Sequence, residues 1–274
     1  MNVAAAIRQA TERLSETSDT ARLDAELLMA QALRVSRSEM LLRHQEASVP
    51  ADFELMIARR ARHEPVAYII ERAEFYGRDF YVNASVLIPR SDSETIIEAA
   101  LELAPREGRA LDMGTGSGAL LLTLLVERAG IEGVGIDSSM DALQVAALNA
   151  RRLGIGNRAR MLKRNWHEPR WADDLGRFEI ILCNPPYVEE SADLSPDVRQ
   201  FEPTAALFAG TEGLDDYQMI VPQLPDLLTD DGVAILEIGY QQGENVSEIS
   251  RSAGFEAEVR LDLGGRSRGL ILKR

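Results

Sequence analysis

Arg109-Ala110-Leu111-Asp112-Met113-Gly114-Thr115-Gly116-Ser117-Gly118-Ala119-Leu120-Leu121-Leu122 decides the fold of this chain. A short apolar run of strand type ends on an Asp, passes through three alternate glycines and enters an apolar run of helical type. Glycines in such a turn let the backbone reverse sharply and approach a ligand closely, with a helix N-terminus directly behind. Asp137 closes the next apolar run, 25 residues after Asp112. A carboxylate there can accept hydrogen bonds from both hydroxyls of a ribose.

Outward from this stretch, strands and helices alternate. Strands are expected over 110–113, 133–136, 160–163, 180–183, 233–238, 255–261 and 269–272. Helices are expected over 119–128, 140–153, within 216–228 and over 244–253. The alternation predicts an α/β fold, a parallel sheet with helices on both faces. The longest irregular connection is expected over 196–213, and long loops at strand ends carry function.

Residues 1–72 read as helices only. Val3, Ala6, Ile7, Ala10 and Leu14 recur at helical spacing, and a second helix over 21–33 has Leu23, Leu27 and Leu28 as core positions. Breaks at Ser36 and Pro50 open a third and a fourth helix, the last running to about His63, and the polar turn His63-Glu64-Pro65 ends the module. Phe75-Tyr76-Gly77-Arg78-Asp79-Phe80-Tyr81-Val82 reads as two short strands about a Gly turn, and Ser93 caps a helix to about Leu103. The expected organisation is a helical domain over 1–72, a β-hairpin connector over 73–90 and the α/β domain over 91–274.

Composition bounds the function. The 274 residues carry 45% apolar and 27% charged side chains, an ordinary globular balance, with no apolar run of membrane-spanning length. The N-terminus lacks the basic-then-apolar pattern of a secretory signal. Cys183 is the single cysteine, which excludes an internal disulfide and a Cys/His zinc site. A cytoplasmic protein without bound metal is expected. Net charge is −14, from 30 Lys plus Arg and 44 Asp plus Glu, which disfavours stable nucleic-acid binding.

The second informative stretch is Ile180-Ile181-Leu182-Cys183-Asn184-Pro185-Pro186-Tyr187. A strand-type run stops at an Asn, two prolines and an aromatic. Two prolines donate no N–H and hold the backbone extended, so the Asn side chain and adjacent carbonyls leave the strand end without sheet partners. Rigid acceptors beside an aromatic face suit a planar –NH2 group. The alternative, an Asn184 that merely caps a turn, is outweighed by the two prolines and the Tyr after a buried strand, which favour the binding role.

The ligand of the glycine loop has two readings. Gly114-x-Gly116-x-x-Ala119 with Asp137 satisfies a dinucleotide fingerprint. S-adenosylmethionine is favoured by Asp112, a partner for an amino-acid ammonium, by the Gly-x-Gly-x-Gly spacing, and by Asn184–Tyr187 at the end of a later strand. A tight strand–helix turn without ligand would not need two carboxylates in register with three glycines.

With these residues in view, the chain resembles the release-factor glutamine methyltransferase (HemK-type) family over almost its whole length. Arg22-Leu23-Asp24-Ala25-Glu26-Leu27-Leu28 is similar to the family's helical-domain signature. His63-Glu64-Pro65-Val66-Ala67-Tyr68-Ile69, Glu74-Phe75-Tyr76-Gly77 and Val86-Leu87-Ile88-Pro89-Arg90 resemble its connecting segments. Asp197-Val198-Arg199-Gln200-Phe201-Glu202-Pro203 with Ala206-Leu207 is the most discriminating piece. Two positions depart: Ser91 stands where the family usually has Pro, as in the branch that modifies a ribosomal protein, and Asn165 stands where an acidic residue usually precedes Trp166.

The resemblance implies a Rossmann-like methyltransferase sheet and a methyl transfer from S-adenosylmethionine to the amide of the glutamine in the Gly-Gly-Gln motif of peptide-chain release factors. It implies cofactor contacts at Asp112, Gly114, Thr115, Gly116, Ser117, Gly118, Asp137, Trp166 and Asn184. The Asn184 side-chain oxygen and the Pro185 carbonyl would accept the two amide hydrogens, Tyr187 would cover the amide plane, and Pro186, Arg90 and Glu202 would lie on the substrate side. An amide nitrogen is a poor nucleophile, so alignment matters more than a general base, and none of His44, His63 or His167 sits in an evident acid–base pair. The helical module would dock the release factor, with the enzyme a monomer. Three other readings stay open: a ribosomal-protein glutamine as acceptor, an exocyclic amine of a nucleic acid, and a cofactor-binding module without catalysis.

Overall fold

The structure, a computed structural model, describes all 274 residues. It comprises two compact units, Met1–Arg72 with Leu194–Phe201, and Ala73–Asp193 with Glu202–Arg274. The hairpin read as a connector lies in the second unit.

The first unit contains α1 (Val3–Leu14), α2 (Ala21–Leu33), α3 (Arg37–Arg43), α4 (Asp52–Arg60) and α5 (Val66–Ile69). The Asn2 side chain accepts the Ala5 N–H and so starts α1, which buries Val3, Ala6, Ile7, Ala10 and Leu14 as its spacing predicts. Ser36 starts α3 in the same way, accepting the Glu39 N–H. Helix α4 stops short of His63 because the chain turns there, with His63 itself in the left-handed region at φ 67°. The module does not end at the His63–Pro65 turn as expected: a further short helix, α5, follows it.

Helix α2 corrects the expected core. Its inner face is Ala21, Asp24, Ala25 and Leu28, the i, i+3, i+4, i+7 stripe. Leu28 is fully buried, but Leu23 is 41% exposed and Leu27 only half-buried, because both fall off that stripe. Two carboxylates lie inside instead. Asp24 accepts from Arg60 Nε at 2.6 Å, Ser18 Oγ at 2.7 Å and Thr20 Oγ1 at 2.9 Å. Glu26 accepts from Arg22 and Arg37, both at the Nε atom.

The second unit opens with the hairpin β1 (Ala73–Phe75) and β2 (Arg78–Phe80). It continues through α6 (Glu94–Leu103), β3 (Glu107–Met113), α7 (Ala119–Glu127), β4 (Gly130–Asp137), α8 (Met140–Arg152), β5 (Ala159–Lys163) and β6 (Phe178–Cys183). The connection expected to be irregular contains α9 (Pro196–Phe201), part of the first unit, and a 3-10 turn at Thr204–Ala206. Then come α10 (Asp215–Ile220), α11 (Leu224–Leu227), β7 (Leu228–Glu237), α12 (Gly243–Ser252), β8 (Glu256–Leu261) and β9 (Ser267–Lys273).

Strands β3 to β9 form one sheet in the order β5-β4-β3-β6-β7-β9-β8. The first five pair parallel, as alternation with helices requires, whereas β9 runs antiparallel to both β7 and β8. The reason is local: only a short turn joins β8 to β9, with Asp262 N–H donating to Arg266 O at 2.8 Å, and such a turn cannot make a parallel crossover. Alternate residues of the central strands feed two cores. Ile180 and Leu182 of β6 pack with α6, α7 and the hairpin, while Ile181 and Cys183 pack with α10, α11 and α12. No helix is long and apolar enough to cross a membrane.

Because Asp24 and Arg60 are both buried, removing one leaves the other's charge uncompensated. Asp24→Ala is expected to lower unfolding free energy by about 3–5 kcal/mol, and Asp24→Leu with Arg60→Met to recover most of it. Urea denaturation of the three proteins measures both effects.

Candidate active site

Strand β3 is the switch point of the sheet. The chain adds β4 and β5 on one side of it and then crosses to place β6 on the other. In such sheets the crevice for ligands opens beyond the carboxyl ends of the two strands flanking the reversal. Register brings three segments to that edge: Met113 pairs with Ile136 on one side and with Cys183 on the other. The glycine loop, Asp137 and Asn184 therefore leave the sheet side by side.

The loop is held by its own backbone. Gly114 and Thr115 N–H donate to Ile136 O at 3.0 and 2.8 Å, and Gly118 N–H donates to Thr115 O at 2.7 Å. Asp137 ties the loop to the next helix, accepting Gly116 N–H at Oδ2 (3.0 Å) and Ser139 N–H at Oδ1 (2.8 Å). Gly114 has φ +77°, a left-handed backbone that favours glycine, and a Cβ there would stand 3.3 Å from the Trp166 ring, a tight contact.

Asp112 is 1% exposed. Its Oδ2 accepts the Thr115 hydroxyl at 2.6 Å, while its buried Oδ1 has no partner. Burial pushes its carboxyl up to about 7, with the Thr115 hydroxyl opposing the shift and the Asp137 charge adding to it. Burial also raises Asp137, against the N–H groups of Ser139, Gly116 and Ser138.

These groups surround a cavity of about 360 Å³. Its wall includes Asp112, Gly114, Thr115, Gly116, Ser117, Asp137, Trp166, Asn184, Pro186 and Arg90. Gly118, Pro185, Tyr187 and Glu202 adjoin these residues in the chain or by hydrogen bond but do not themselves line the cavity. The Asn184 side chain makes no hydrogen bond within the protein and is half-buried at the cavity. Pro185 and Pro186 are buried. Arg90 forms an ion pair with the buried Glu202, which also accepts the Ile88 N–H at 3.3 Å.

Two buried carboxylates of this region were not singled out from the sequence. Asp216, at the start of α10, accepts Trp166 Nε1 at 2.7 Å, and the same oxygen lies 3.0 Å from His167 Nε2. For His167 this corrects the expectation that none of the three histidines sits in an evident acid–base pair: His167 and Asp216 are 49 residues apart, and no local spacing announces the pair. Asn165 Oδ1 accepts the His167 N–H at 3.0 Å, so the amide at this departing position shapes the turn beneath Trp166. Glu237, the last residue of β7, accepts the Tyr187 hydroxyl at 3.0 Å. Burial, with the neighbouring Glu237 charge, pushes the Tyr187 phenol far above its usual range. In sequence Glu237 is only the polar end of an apolar run.

Comparison with known proteins bears on what this crevice does. Residues 5–70 match the PrmC N-terminal domain and residues 106–258 match a methyltransferase domain. The release factor glutamine methyltransferase of Nitratidesulfovibrio vulgaris is 37% identical over 278 aligned residues, covering 98% of this chain and 94% of that protein. The protein of the same name from Cereibacter sphaeroides is 39% identical, covering 98% and 97%. Among solved structures, a methyltransferase from Pyrococcus furiosus superposes with a TM-score of 0.53 at 16% identity, covering 72% of this chain and 89% of that one, a likeness of fold. On the near-full-length identity and the two matched domains together, the chain belongs to the release factor glutamine methyltransferase family.

Proposed function

We propose that this chain methylates the side-chain amide nitrogen of the glutamine in the Gly-Gly-Gln motif of peptide-chain release factors. S-adenosylmethionine is its methyl donor, supplying an electrophilic methyl group on a sulfonium. The residues at the crevice fit that donor. The unpartnered Asp112 Oδ1 is a buried acceptor suited to an ammonium, the Asp137 carboxylate to ribose hydroxyls, and the Trp166 face to adenine. Gly114, Thr115, Gly116 and Ser117 bring loop backbone close to it, with Gly118 starting the helix behind.

The observation that carries the acceptor side is the free Asn184 amide at the end of β6, one strand from Asp112. Its Oδ1 and the Pro185 carbonyl accept the two hydrogens of the substrate amide. That grip aims the nitrogen at the donor and favours loss of its planarity, which localises the lone pair. Tyr187 covers the amide plane, and Pro186, Arg90 and Glu202 frame the substrate side. The proton leaves to water once nitrogen carries positive charge, so no paired base is required. The helical unit docks the release factor, and the enzyme works as a cytoplasmic monomer without stable nucleic-acid binding, in keeping with its charge of −14.

Incubation with labelled cofactor, release factors, a glutamine-containing ribosomal protein and nucleic acid, read by mass spectrometry, is expected to place the methyl group on the release-factor glutamine. Label confined to the ribosomal protein or to nucleic acid would overturn the assignment. Asn184→Ala is expected to lower kcat by about 100-fold or more while calorimetric binding of S-adenosylhomocysteine persists.

Asp112 gives a pH signature. The charged carboxylate pairs with an ammonium, so S-adenosylhomocysteine affinity should be full above about 7 and weaken as pH falls below it. The limiting slope is about tenfold per pH unit, and Asp112→Asn should flatten the profile. Without ligand the sign reverses. The folded state keeps a proton that the unfolded chain has lost above about 3.8, so stability declines as pH rises through the window from about 3.8 to about 7. Calorimetry and thermal melts across that range check the two trends.

A further inference from the structure

Tyr187 is gripped at both ends. Its hydroxyl donates to Glu237 Oε1 at 3.0 Å and accepts from Arg268 Nη1 at 3.3 Å. Its carbonyl accepts from Gln242 Nε2 at 3.1 Å, and Gln242 in turn accepts the Gly239 N–H at 3.0 Å. Gly213 closes this pocket from outside: it has φ +68°, and a Cβ there would stand 2.2 Å from the Tyr187 carbonyl oxygen. The residues from Glu237 to Gln242 thus form a socket for the residue that ends the Asn184–Tyr187 turn.

Glu237 is the centre of the socket. It is 1% exposed, a setting that disfavours a carboxylate unless its oxygens are satisfied. Its second oxygen accepts the hydroxyl of Ser93, a residue of the cavity wall three positions after Arg90. Its backbone carbonyl accepts the Tyr217 hydroxyl at 2.7 Å. Arg268 completes the frame, donating to Asp92 Oδ2 at 3.0 Å beside the Ser93 end. One buried side chain therefore connects the two segments, Arg90–Ser93 and Asn184–Tyr187, on which the acceptor amide would be held.

We infer that Glu237 is a positioning residue of the methyl transfer: through Tyr187 and Ser93 it fixes the acceptor wall of the cavity, so that the Asn184 and Pro185 acceptors meet the substrate amide in one geometry. The inference rests on the proposed function for what that wall holds. Glu237 touches neither substrate nor cofactor, and the cofactor side of the crevice, at Asp112, Asp137 and Trp166, is built without it. Its loss therefore separates acceptor alignment from donor binding.

The expected result for Glu237→Ala is a fall in kcat on a release factor of about tenfold or more, with S-adenosylhomocysteine affinity within about twofold of wild type. Glu237→Gln should restore most of the rate, since one amide oxygen still accepts from Tyr187 and the Ser93 hydroxyl can turn to accept the amide N–H. Tyr187→Phe with Glu237→Ala should be no slower than the slower single variant, because both break the same link. A readout independent of turnover is the ring-carbon resonance of Tyr187 in 13C-tyrosine-labelled protein, assigned by Tyr187→Phe. It should move in Glu237→Ala and stay near its wild-type position in Glu237→Gln. Unchanged kcat in Glu237→Ala, additive losses in the double variant, or a Tyr187 resonance indifferent to Glu237 would each overturn the inference. If Glu237→Ala does not fold, Ser93→Ala and Glu237→Gln, read by the same resonance and by the kcat-to-affinity split, decide it. Wild-type protein inactive on every release factor would overturn the proposed function instead, and the resonance would still report on the socket.

Discussion

The parallel pairing of β3 with β6 is the constraint on which the rest of the site depends. Asp112 lies opposite Leu182 and Met113 opposite Cys183, so the glycine loop and the Asn184 turn emerge from adjacent strands at the same height. Hydrogen-bonded neighbours stand about 4.8 Å apart, a spacing that puts a donor bound on one loop within reach of an acceptor held by the other. A slip of β6 by one residue against β3 would turn its side chains to the opposite faces, sending Ile180 and Leu182 to the wrong core. The two apolar cores thus enforce the alignment that the chemistry uses.

Around this crevice the protein has gathered buried carboxylates and given each a different set of partners. Asp112 keeps one oxygen free, Asp137 spends both on loop and helix N–H groups, Asp216 holds an indole and an imidazole with one oxygen, and Glu237 joins a phenol to a serine hydroxyl. Buried carboxylates are costly, and those fully engaged by hydrogen bonds serve as fixed struts. Asp112, half satisfied and raised toward neutrality, is the one left able to respond to a ligand's charge. A transfer that needs alignment more than proton abstraction is served by such a division: rigid struts for the walls, one open acceptor for the donor's cation.

The helical unit applies the same logic to folding. Its α2 carries Asp24 and Glu26 on the inside, Asp24 matched to Arg60 of α4 and Glu26 to Arg22 of its own helix and Arg37 of α3. The chain also leaves the α/β unit after Asp193, contributes Leu194–Phe201 to the helical unit and returns at Glu202. The stretch between Asn184–Tyr187 and α10 is accordingly no free loop.

The amino-acid sequence alone determined the elements whose signals are local. The loop from Asp112 to Ala119, Asp137 at the next strand end, the arrested strand at Asn184–Tyr187 and the stripe of α1 are all set by spacing and by the backbone limits of Gly and Pro, which need no distant partner. Membership of an α/β class with a helical N-terminal module was legible for the same reason. Tertiary structure alone decided the rest. The insertion of β9 between β7 and β8 depends on how the β8–β9 hairpin docks at the sheet edge, and the outward Leu23 depends on which face of α2 meets its neighbours. The pairings of Asp216 with Trp166 and His167, and of Glu237 with Tyr187 and Ser93, join residues between about 50 and 144 positions apart. A buried polar contact of that separation leaves no periodicity behind it, because its geometry exists only once the sheet has brought the strand ends together.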